Sequence, residues 1–233
     1  MVLKAFLTGG SGTLGKELIN QSELFDIEFV APSSKECDVR DYESVLKNIQ
    51  SFDGDLVLHS AALTNTKQIE NDASDAIEVN VVGTLNVLKV CKKLGKKMVY
   101  ISTDYVFDGK KGNYKPTDPI NPIGKYSKTK AAAELLVRTY ERSLVIRTSF
   151  FGHTFPYSNA FVDVWSSKDY VDAIAPKIIN MVKENNFGVV HVGSSRRSLY
   201  EIARSRRDDV AKDNSDDSLN IPRDVSLELD CDD

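Results

Sequence analysis

Cysteine is scarce in this sequence, and its spacing forms no disulfide or metal-binding pattern. Cys37, Cys91 and Cys231 are the three cysteines in 233 residues, and they are far apart. Disulfide-rich secreted domains and zinc sites both need closely or evenly paired cysteines. The sequence therefore favours a reducing compartment and indicates no metal site, so we expect a cytoplasmic protein.

Long hydrophobic runs and a strong charge imbalance are also missing. No stretch approaches the roughly 18 apolar residues that a membrane-spanning helix requires. The apolar opening 1–7 reaches Gly9 too soon to be a signal peptide. The net charge is -4, and no basic face is obvious. We therefore expect neither a membrane nor a nucleic acid as a partner.

Short apolar segments alternate with longer helical patterns along the chain. The predicted strands are Lys4–Thr8, Ile27–Ala31, Leu56–Ser60, Lys97–Ser102, Ser143–Thr148 and Val189–Val192. The predicted helices are Leu14–Leu24, Tyr42–Ile49, Ala73–Leu94, Tyr126–Glu141, Tyr170–Lys183 and one that starts at Ser198. The strands lack strict polar–apolar alternation, as expected when helices cover both faces of a sheet. This order predicts an α/β fold with a doubly wound parallel sheet.

A glycine-rich turn follows the first predicted strand and leads into the first predicted helix. Gly9, Gly12 and Gly15 lie in the segment from Thr8 to Gly15. Glycines in such a strand–turn–helix context let the backbone approach a pyrophosphate at the helix N-terminus. The sequence therefore predicts a dinucleotide cofactor here.

The end of the second strand carries information about which dinucleotide is bound. An acidic residue that would bind the ribose 2′-hydroxyl of NAD is missing there, whereas Ser33, Ser34 and Lys35 would suit the 2′-phosphate of NADP. We favour NADP, with NAD still open and Lys35 as a solvated loop charge being the alternative. Asp38 and Val39 follow; Asp38 would lie near the adenine or cap the next helix.

The third strand is followed by small residues that would let a ligand approach the backbone. These are Ala61 and Ala62, after the strand residue His59. We interpret His59 as a buried strand histidine rather than a catalyst. Asn80 lies inside a predicted helix although asparagine is a poor helix former. Its side chain therefore either hydrogen-bonds to backbone groups across the core or is exposed to solvent.

The most informative stretch joins the fourth strand to the helix that follows it. The strand ends in Ser-Thr-Asp, with Thr103 and Asp104, and the helix carries Tyr126 and Lys130 four positions apart. Residues i and i+4 share a helix face, so a phenol and an ammonium can meet and the ammonium would lower the phenol pKa. The alternatives are a surface Tyr–Lys pair and an Asp104 that caps local backbone.

In these pieces the sequence resembles the extended short-chain dehydrogenase/reductase superfamily, and within it the dTDP-4-dehydrorhamnose reductase-like sugar-nucleotide reductases. The matching pieces, in chain order, are Gly9–Gly15, Asp38-Val39, Ala61-Ala62, Asn80, Ser102–Phe107, Tyr126-x-x-x-Lys130, Arg147-Thr-Ser149 and Pro222–Leu227. The resemblance implies a Rossmann-like NAD(P)-binding domain over 1–149. It also implies a small, reduced substrate-binding region over 150–233, interleaved with the last strand and helices of the sheet.

The resemblance also implies a role for each matching residue. Tyr126 would donate the proton, Lys130 would tune it and hold the nicotinamide ribose, and Thr103 would bind the carbonyl oxygen. Thr103, Asp104 and Phe150 would contact a nucleotide-linked 4-keto sugar. The cofactor would contact Gly9, Gly12, Thr13, Leu14, Gly15, Ser33, Lys35, Asp38, Val39, Ala61, Ala62, Leu63, Tyr126 and Lys130.

Three features bear on which member of the superfamily this is. Related 4,6-dehydratases carry Thr-Asp-Glu at the end of the fourth strand, whereas Tyr105 follows Asp104 here, which favours reduction over dehydration. The reductases usually have Trp where Phe150 stands, and the segment between Ser149 and Ile178 is shorter here. Two alternatives to a reductase therefore stay open: a non-catalytic NAD(P)-binding regulatory subunit and a sugar-nucleotide epimerase. The sequence also leaves open whether the protein forms a homodimer.

Overall fold

The computed structural model describes residues 2–184, 186–216 and 221–229. Its central feature is a six-stranded parallel sheet. The sheet strands are β1 (Leu3–Thr8), β2 (Ile27–Val30), β3 (Leu56–His59), β4 (Lys97–Thr103), β5 (Ser143–Thr148) and β10 (Gly188–His191). The main helices are α1 (Thr13–Gln21), α2 (Tyr42–Gln50), α3 (Thr66–Asn71), α4 (Ser74–Ala76), α5 (Thr84–Leu94), α6 (Lys125–Val137), α7 (Val171–Lys183) and α8 (Leu199–Arg204).

The strand order across the sheet is β10-β5-β4-β3-β1-β2, and every pairing is parallel. The chain runs from β1 to β2 in one direction across the sheet and from β3 onward in the other. The connections that follow the neighbouring strands β1 and β3 therefore cross opposite faces of the sheet. In sheets of this kind a ligand crevice opens beyond the carboxyl ends of the strands at that switch point. The predicted Rossmann-like fold is confirmed, and the switch point lies where the glycine-rich turn follows β1.

Alternate residues of each strand contact opposite faces of the sheet, and both faces are covered. On β1, Ala5 and Leu7 belong to the apolar cluster beneath α1 and α7, whereas Phe6 belongs to the cluster beneath α2, α5 and α6. On β4, Val99 and Tyr100 divide in the same way. Burial on both faces explains why the strands read as continuous apolar runs rather than alternating ones.

Two predicted helices are shorter or more broken than the sequence indicates. The first ends at Gln21 and continues as a 3₁₀ turn over Ser22–Phe25, which Asp26 closes at a φ of 51°. The helix predicted over Ala73–Leu94 contains a π-helical segment, Ile77–Gly83, between α4 and α5. Such segments are concentrated at functional sites, and this one carries Asn80.

The region after β5 is built from short strands and loops that pack against one end of the sheet. The short strands are β6 (Phe150–Phe151), β7 (Asn159–Phe161), β8 (Trp165–Ser166), β9 (Asp169–Tyr170), β11 (Arg197–Ser198) and β12 (Ala211–Asp213). The capping box predicted at Ser198 is present, with Glu201 as its second member. The division into 1–149 and 150–233 stays a prediction, and Cys231 lies outside the described residues.

Across 2–184, 186–216 and 221–229, none of the helices combines the length and the apolar character that a transmembrane segment needs.

Candidate active site

The glycine-rich turn brings the backbone after β1 against the backbone after β3. Gly9 has a φ of +77°, which side chains disfavour, and a Cβ there would lie 2.6 Å from the amide nitrogen of Ala61. The amide of Gly12 donates to the carbonyl oxygen of Gly9 at 3.0 Å, and α1 starts directly afterwards at Thr13. The predicted close approach of backbone to ligand is therefore supported by the local geometry.

A cavity of about 720 Å³ opens beside this turn, at the switch point of the sheet. Its size lies within the range of ordinary cofactor and ligand pockets. Its lining includes eight residues predicted to contact a dinucleotide: Gly9, Gly12, Lys35, Asp38, Val39, Ala61, Ala62 and Leu63. Thr13, Leu14 and Gly15 form the first turn of α1, with Leu14 and Gly15 buried. The structure thus brings these eight residues together at one cavity, whereas Ser33, Tyr126 and Lys130, also predicted to contact the cofactor, lie outside its lining.

The loop after β2 has a different arrangement from the one expected for Ser33. The amide and the hydroxyl of Ser33 both donate to the Glu36 carboxylate at 2.8 Å, which holds the pKa of Glu36 below its usual value. Ser34 and Lys35 line the cavity instead. Ser33 therefore shapes this loop, and Ser34 is the serine of the loop that lines the cavity.

Asp38 is not the cap of the helix that follows it. The N-cap of α2 is Asp41, whose carboxylate accepts from the amide of Glu43 at 2.9 Å. Asp38 lies on the cavity wall and accepts a two-pronged pair of hydrogen bonds from Arg40. That pairing lowers the pKa of Asp38. Arg40 lines the same cavity and was missed from the sequence, although it stands only two positions beyond a predicted site residue.

Asn80 and His59 hold the cavity wall in place from inside the core. Both are fully buried. The Asn80 side chain accepts from the amide of Leu63 at 2.8 Å and donates to the carbonyl of Leu63 at 3.0 Å. His59 bridges the hydroxyls of Thr8 and Thr84 at 2.7 and 2.9 Å. Burial, aided by the charge of Lys130, lowers the pKa of His59 to about 3, so it is a neutral structural residue as predicted.

The second part of the site lies where β4 ends and α6 begins. Thr103 is the last residue of β4 and is buried, and Tyr126 and Lys130 are on the first turns of α6. Thr103 adjoins the Tyr126 side chain and acts to lower the pKa of its phenol. The Lys130 ammonium donates to the carbonyl oxygen of Ile101 at 2.7 Å. The strand end and the helix therefore assemble the three predicted catalytic residues.

The direction of the pKa shift predicted for Tyr126 is wrong for this structure. Burial, followed by the charge of Asp104, raises the pKa of the Tyr126 phenol instead of lowering it. Burial also lowers the pKa of Lys130 to about 7, against a smaller opposing effect of the Glu134 charge. Desolvation of the phenol therefore outweighs the stabilisation that a nearby lysine was expected to give its charged form.

A buried ion pair fixes α6 to the sheet. Glu134 and Arg147 are both fully buried, and the guanidinium lies 2.7 Å from the carboxylate. Ser102 also donates to the Glu134 carboxylate at 2.7 Å, and Arg147 reaches the carbonyl of Pro116 at 3.1 Å. The pair thus connects β4, β5, α6 and the loop before α6, which are the elements that carry the catalytic candidates.

Asp104 connects the sheet to the region after β5. Its carboxylate accepts from the Ser166 hydroxyl at 3.0 Å and from the Thr103 hydroxyl at 3.2 Å. Local backbone capping is done by Thr103, which accepts from the amide of Tyr105. Burial raises the pKa of Asp104, and the charge of Lys168 is the main opposing influence. Asp104 is therefore a buried connector within the site.

Lys168 is the other site residue that the sequence did not reveal. Its ammonium lies 4.7 Å from the ring centre of Phe151 and 5.3 Å from that of Tyr105. Nearby Tyr105 and Asp104 raise its pKa in spite of its burial. It belongs to a segment without periodicity, and it comes close to Asp104 only through the tertiary fold, so the sequence contained no signal for it.

A second cavity, of about 600 Å³, opens next to Tyr126. Tyr105, Lys67 and Glu70 contribute to its lining. Phe150, which we predicted to contact substrate, is half-buried and packs against the apolar cluster beneath α1 and α7. The structure therefore places a cavity beside Tyr126 and gives Phe150 a packing contact, and the predicted contact of Phe150 with substrate stays a prediction.

Fold and site together define a Rossmann-like protein in which a threonine at the end of β4 adjoins a tyrosine of α6, and a lysine of the same helix is bonded to β4. The family model described as RmlD substrate binding domain matches residues 3–169. The chain belongs to this family.

Two curated relatives illustrate the likeness in sequence. The spore coat polysaccharide biosynthesis protein SpsK of Bacillus subtilis is 36% identical over 153 residues, which are 64% of this chain and 54% of that protein. The dTDP-4-dehydrorhamnose reductase of Aggregatibacter actinomycetemcomitans is 34% identical over 185 residues, 75% of this chain and 61% of that protein. The chain thus spans about half to three fifths of the length of the curated relatives it matches.

A more distant relative and a solved structure extend the comparison. Methionine adenosyltransferase 2 subunit beta of Bos taurus is 29% identical over 141 residues, 58% of this chain and 42% of that protein. The crystal structure of dTDP-4-dehydrorhamnose reductase from Bacillus anthracis in complex with NADP superposes with a TM-score of 0.87 at 23% identity. The superposition covers 99% of this chain and 90% of the Bacillus anthracis chain. The latter likeness establishes the fold.

Proposed function

We propose that this protein is an NAD(P)H-dependent reductase of a nucleotide-linked 4-keto-6-deoxy sugar. The observation that carries the proposal is that Thr103, at the end of β4, adjoins Tyr126 on α6, while Lys130 of the same helix is bonded to β4. Two relatives named dTDP-4-dehydrorhamnose reductase, from Aggregatibacter actinomycetemcomitans and Mycobacterium tuberculosis, support it at 34% and 32% identity.

The residues present fit a dinucleotide at the turn, because a Cβ at Gly9 would meet the backbone of Ala61 and only glycine leaves that approach open. Bound there, the reduced nicotinamide supplies a hydride for the ketone carbon of the sugar. Lys35 and Ser34, on the cavity wall, favour NADP over NAD.

The proton comes from this chain. Because the pKa of Tyr126 is raised, the phenol is protonated at neutral pH, which is the state that a proton donor requires. Tyr126 donates its phenolic proton to the carbonyl oxygen as that oxygen becomes an alkoxide. The Thr103 hydroxyl, which donates to Asp104 in this structure, turns to donate a hydrogen bond to the same oxygen and orients it. Lys130, as an ammonium, stabilises the phenolate that remains.

Reduction rather than dehydration is favoured by the residue that follows Asp104. Elimination of water by a related site uses a second carboxylate, and Tyr105 stands at that position with its ring lining the cavity beside Tyr126. We also propose a nucleotide-sugar substrate, a cytoplasmic location and the division into a cofactor domain over 1–149 and a substrate region over 150–233.

A second candidate is a dinucleotide-binding regulatory subunit. It is favoured by the 29% identity with methionine adenosyltransferase 2 subunit beta and by the short segment between Ser149 and Ile178. Against it, Thr103, Tyr126 and Lys130 are all present and gathered in one place, which a purely regulatory role does not require.

The two candidates are separated by one isotope experiment. The protein is mixed with dTDP-4-dehydrorhamnose and NADPH that carries deuterium at C4 of the nicotinamide. A reductase transfers the deuterium to C4 of the sugar, which mass spectrometry and NMR of the product detect. Binding of NADPH without any transfer, to this sugar or to a panel of 4-keto sugar nucleotides, would contradict the reductase and support the subunit.

A further inference from the structure

Arg40 lies on the wall of the 720 Å³ cavity together with Lys35 and Asp38. Its guanidinium binds the Asp38 carboxylate as a fork, with Nε 3.0 Å from Oδ1 and Nη2 2.7 Å from Oδ2. Asp38 also accepts from the backbone amide of Arg40 at 3.0 Å. A planar fork held on a carboxylate in this way has a defined orientation rather than a freely moving charge.

The fork leaves part of the guanidinium available. The contacts with Asp38 use Nε and Nη2 of Arg40, and among the described residues nothing accepts a hydrogen bond from Nη1. The arginine side chain is 56% exposed and the aspartate side chain 36% exposed. An anion that enters the cavity can therefore reach the free edge of the guanidinium without displacing Asp38.

The charges around this wall show why Arg40 matters. Two acidic residues, Glu36 and Asp38, follow Lys35 in the chain, and hydrogen bonds from Ser33 hold the Glu36 carboxylate in place. Asp75 and Glu78, at the start of the neighbouring helical segment, also act on the Arg40 charge. Without Arg40, the charged residues of this wall would be Lys35 and Asp38, which together carry no net positive charge to attract a phosphate.

We propose that Arg40, oriented by Asp38, is the second half of a clamp with Lys35 that recognises the 2′-phosphate of the cofactor's adenosine ribose. This rests on the proposed function, because it assumes that the cavity holds a dinucleotide. A phosphate dianion matches a guanidinium edge and a lysine ammonium in charge and geometry, whereas the 2′-hydroxyl of NADH offers neither charge. Arg40 and Lys35 together therefore set the preference for NADPH.

The test is a set of equilibrium binding measurements with NADPH, NADH, adenosine 2′,5′-bisphosphate and adenosine 5′-monophosphate. The variants are Arg40→Gln and Arg40→Lys. Arg207→Gln is the matched control, because Arg207 also binds an aspartate two positions away through Nε and Nη2, and it lies outside the lining of the cavity. Circular dichroism checks that each variant folds.

Arg40→Gln is expected to weaken NADPH and the 2′,5′-bisphosphate by about 10- to 100-fold, the scale of one lost charge-assisted contact. NADH and the 5′-monophosphate should change by less than about threefold, Arg40→Lys should retain part of the preference, and Arg207→Gln should leave it intact. Equal weakening of NADPH and NADH, or no weakening of either, would overturn the clamp.

Failure of the clamp and failure of the proposed function give different results. A wild-type protein that binds NADH as tightly as NADPH would overturn the clamp and leave dinucleotide binding in place. A wild-type protein that binds neither dinucleotide would contradict the proposed function itself. If Arg40→Gln does not fold, the phosphate preference of the folded Arg40→Lys variant decides, since an unchanged preference for NADPH over NADH would contradict a role for the fork.

Discussion

The ammonium of Lys130 lies 2.7 Å from the carbonyl oxygen of Ile101, so a catalytic candidate on α6 is bonded to the strand that carries its partner Thr103. Lys130 is buried, and burial disfavours the charged form of its amine. Its pKa falls to about 7 from an ordinary value of 10.5. The lysine is therefore poised to change its protonation state near neutral pH.

The first prediction concerns the pH dependence of stability. Because the folded pKa of Lys130 is depressed, the unfolded chain binds more protons between about pH 7 and 10.5. This residue's contribution to stability therefore rises with pH across that window and is least favourable below pH 7. In urea unfolding, the free energy of unfolding of the wild type minus that of Lys130→Met should rise with pH by roughly a few kcal/mol. A difference that stays flat from pH 6 to 10 would show that Lys130 is not buried as described.

The second prediction concerns the buried ion pair. Glu134→Gln removes the carboxylate that pairs with Arg147 inside the core and should destabilise the protein by about 3–5 kcal/mol, since an uncompensated guanidinium remains buried. Arg138 offers a matched control, because it approaches the same carboxylate at 3.8 Å from an exposed position. Arg138→Gln should cost less than about 1 kcal/mol. Equal losses for the two variants, by chemical denaturation, would refute the assignment.

The third prediction concerns Asp104 and Lys168. Burial raises the pKa of Asp104 while the charge of Lys168 lowers it. Lys168→Met should therefore raise the pKa of Asp104 further, whereas Lys168→Arg should hold it near the wild-type value. Carbon-detected NMR of the aspartate carboxyls measures the shift directly. An Asp104 resonance that titrates identically in all three proteins would mean that the two side chains are not electrostatically coupled.

The fourth prediction concerns Lys35 on the cofactor cavity. Lys35→Ala should weaken NADPH by about tenfold and leave NADH within about threefold, because the lost ammonium is proposed to face the 2′-phosphate. Lys16→Ala, on α1, is the control for losing one lysine charge, and it should change the two affinities alike. Loss of NADPH and NADH affinity in equal measure on Lys35→Ala would place the lysine away from the phosphate.

Local pattern was enough to predict much of the fold and part of the site. Each of the six sheet strands begins and ends within one residue of its predicted bounds. Burial on both faces gives continuous apolar runs, and these are visible in the sequence. The turn at Gly9 and the pair Tyr126 and Lys130 are likewise local features, defined by spacing within one strand–turn–helix or one helix face.

The rest depends on contacts that no local pattern encodes. Lys168 acts on Asp104, 64 positions earlier in the chain, and the Ser166–Asp104 hydrogen bond spans 62 positions. The π-helical segment around Asn80 follows from its bonds to Leu63 across the core, which override helix periodicity. The pKa of Tyr126 was predicted in the wrong direction because its burial cannot be read from sequence.

The most direct test of the central claim compares wild type with Tyr126→Phe. This substitution removes only the phenolic oxygen, so the site keeps its shape and loses its proton donor. With NADPH and dTDP-4-dehydrorhamnose, turnover should fall by about 10²–10⁴-fold, the usual contribution of a general acid, while NADPH affinity changes less than about twofold. Near-normal turnover of Tyr126→Phe would contradict the account, because another group would then be protonating the ketone oxygen.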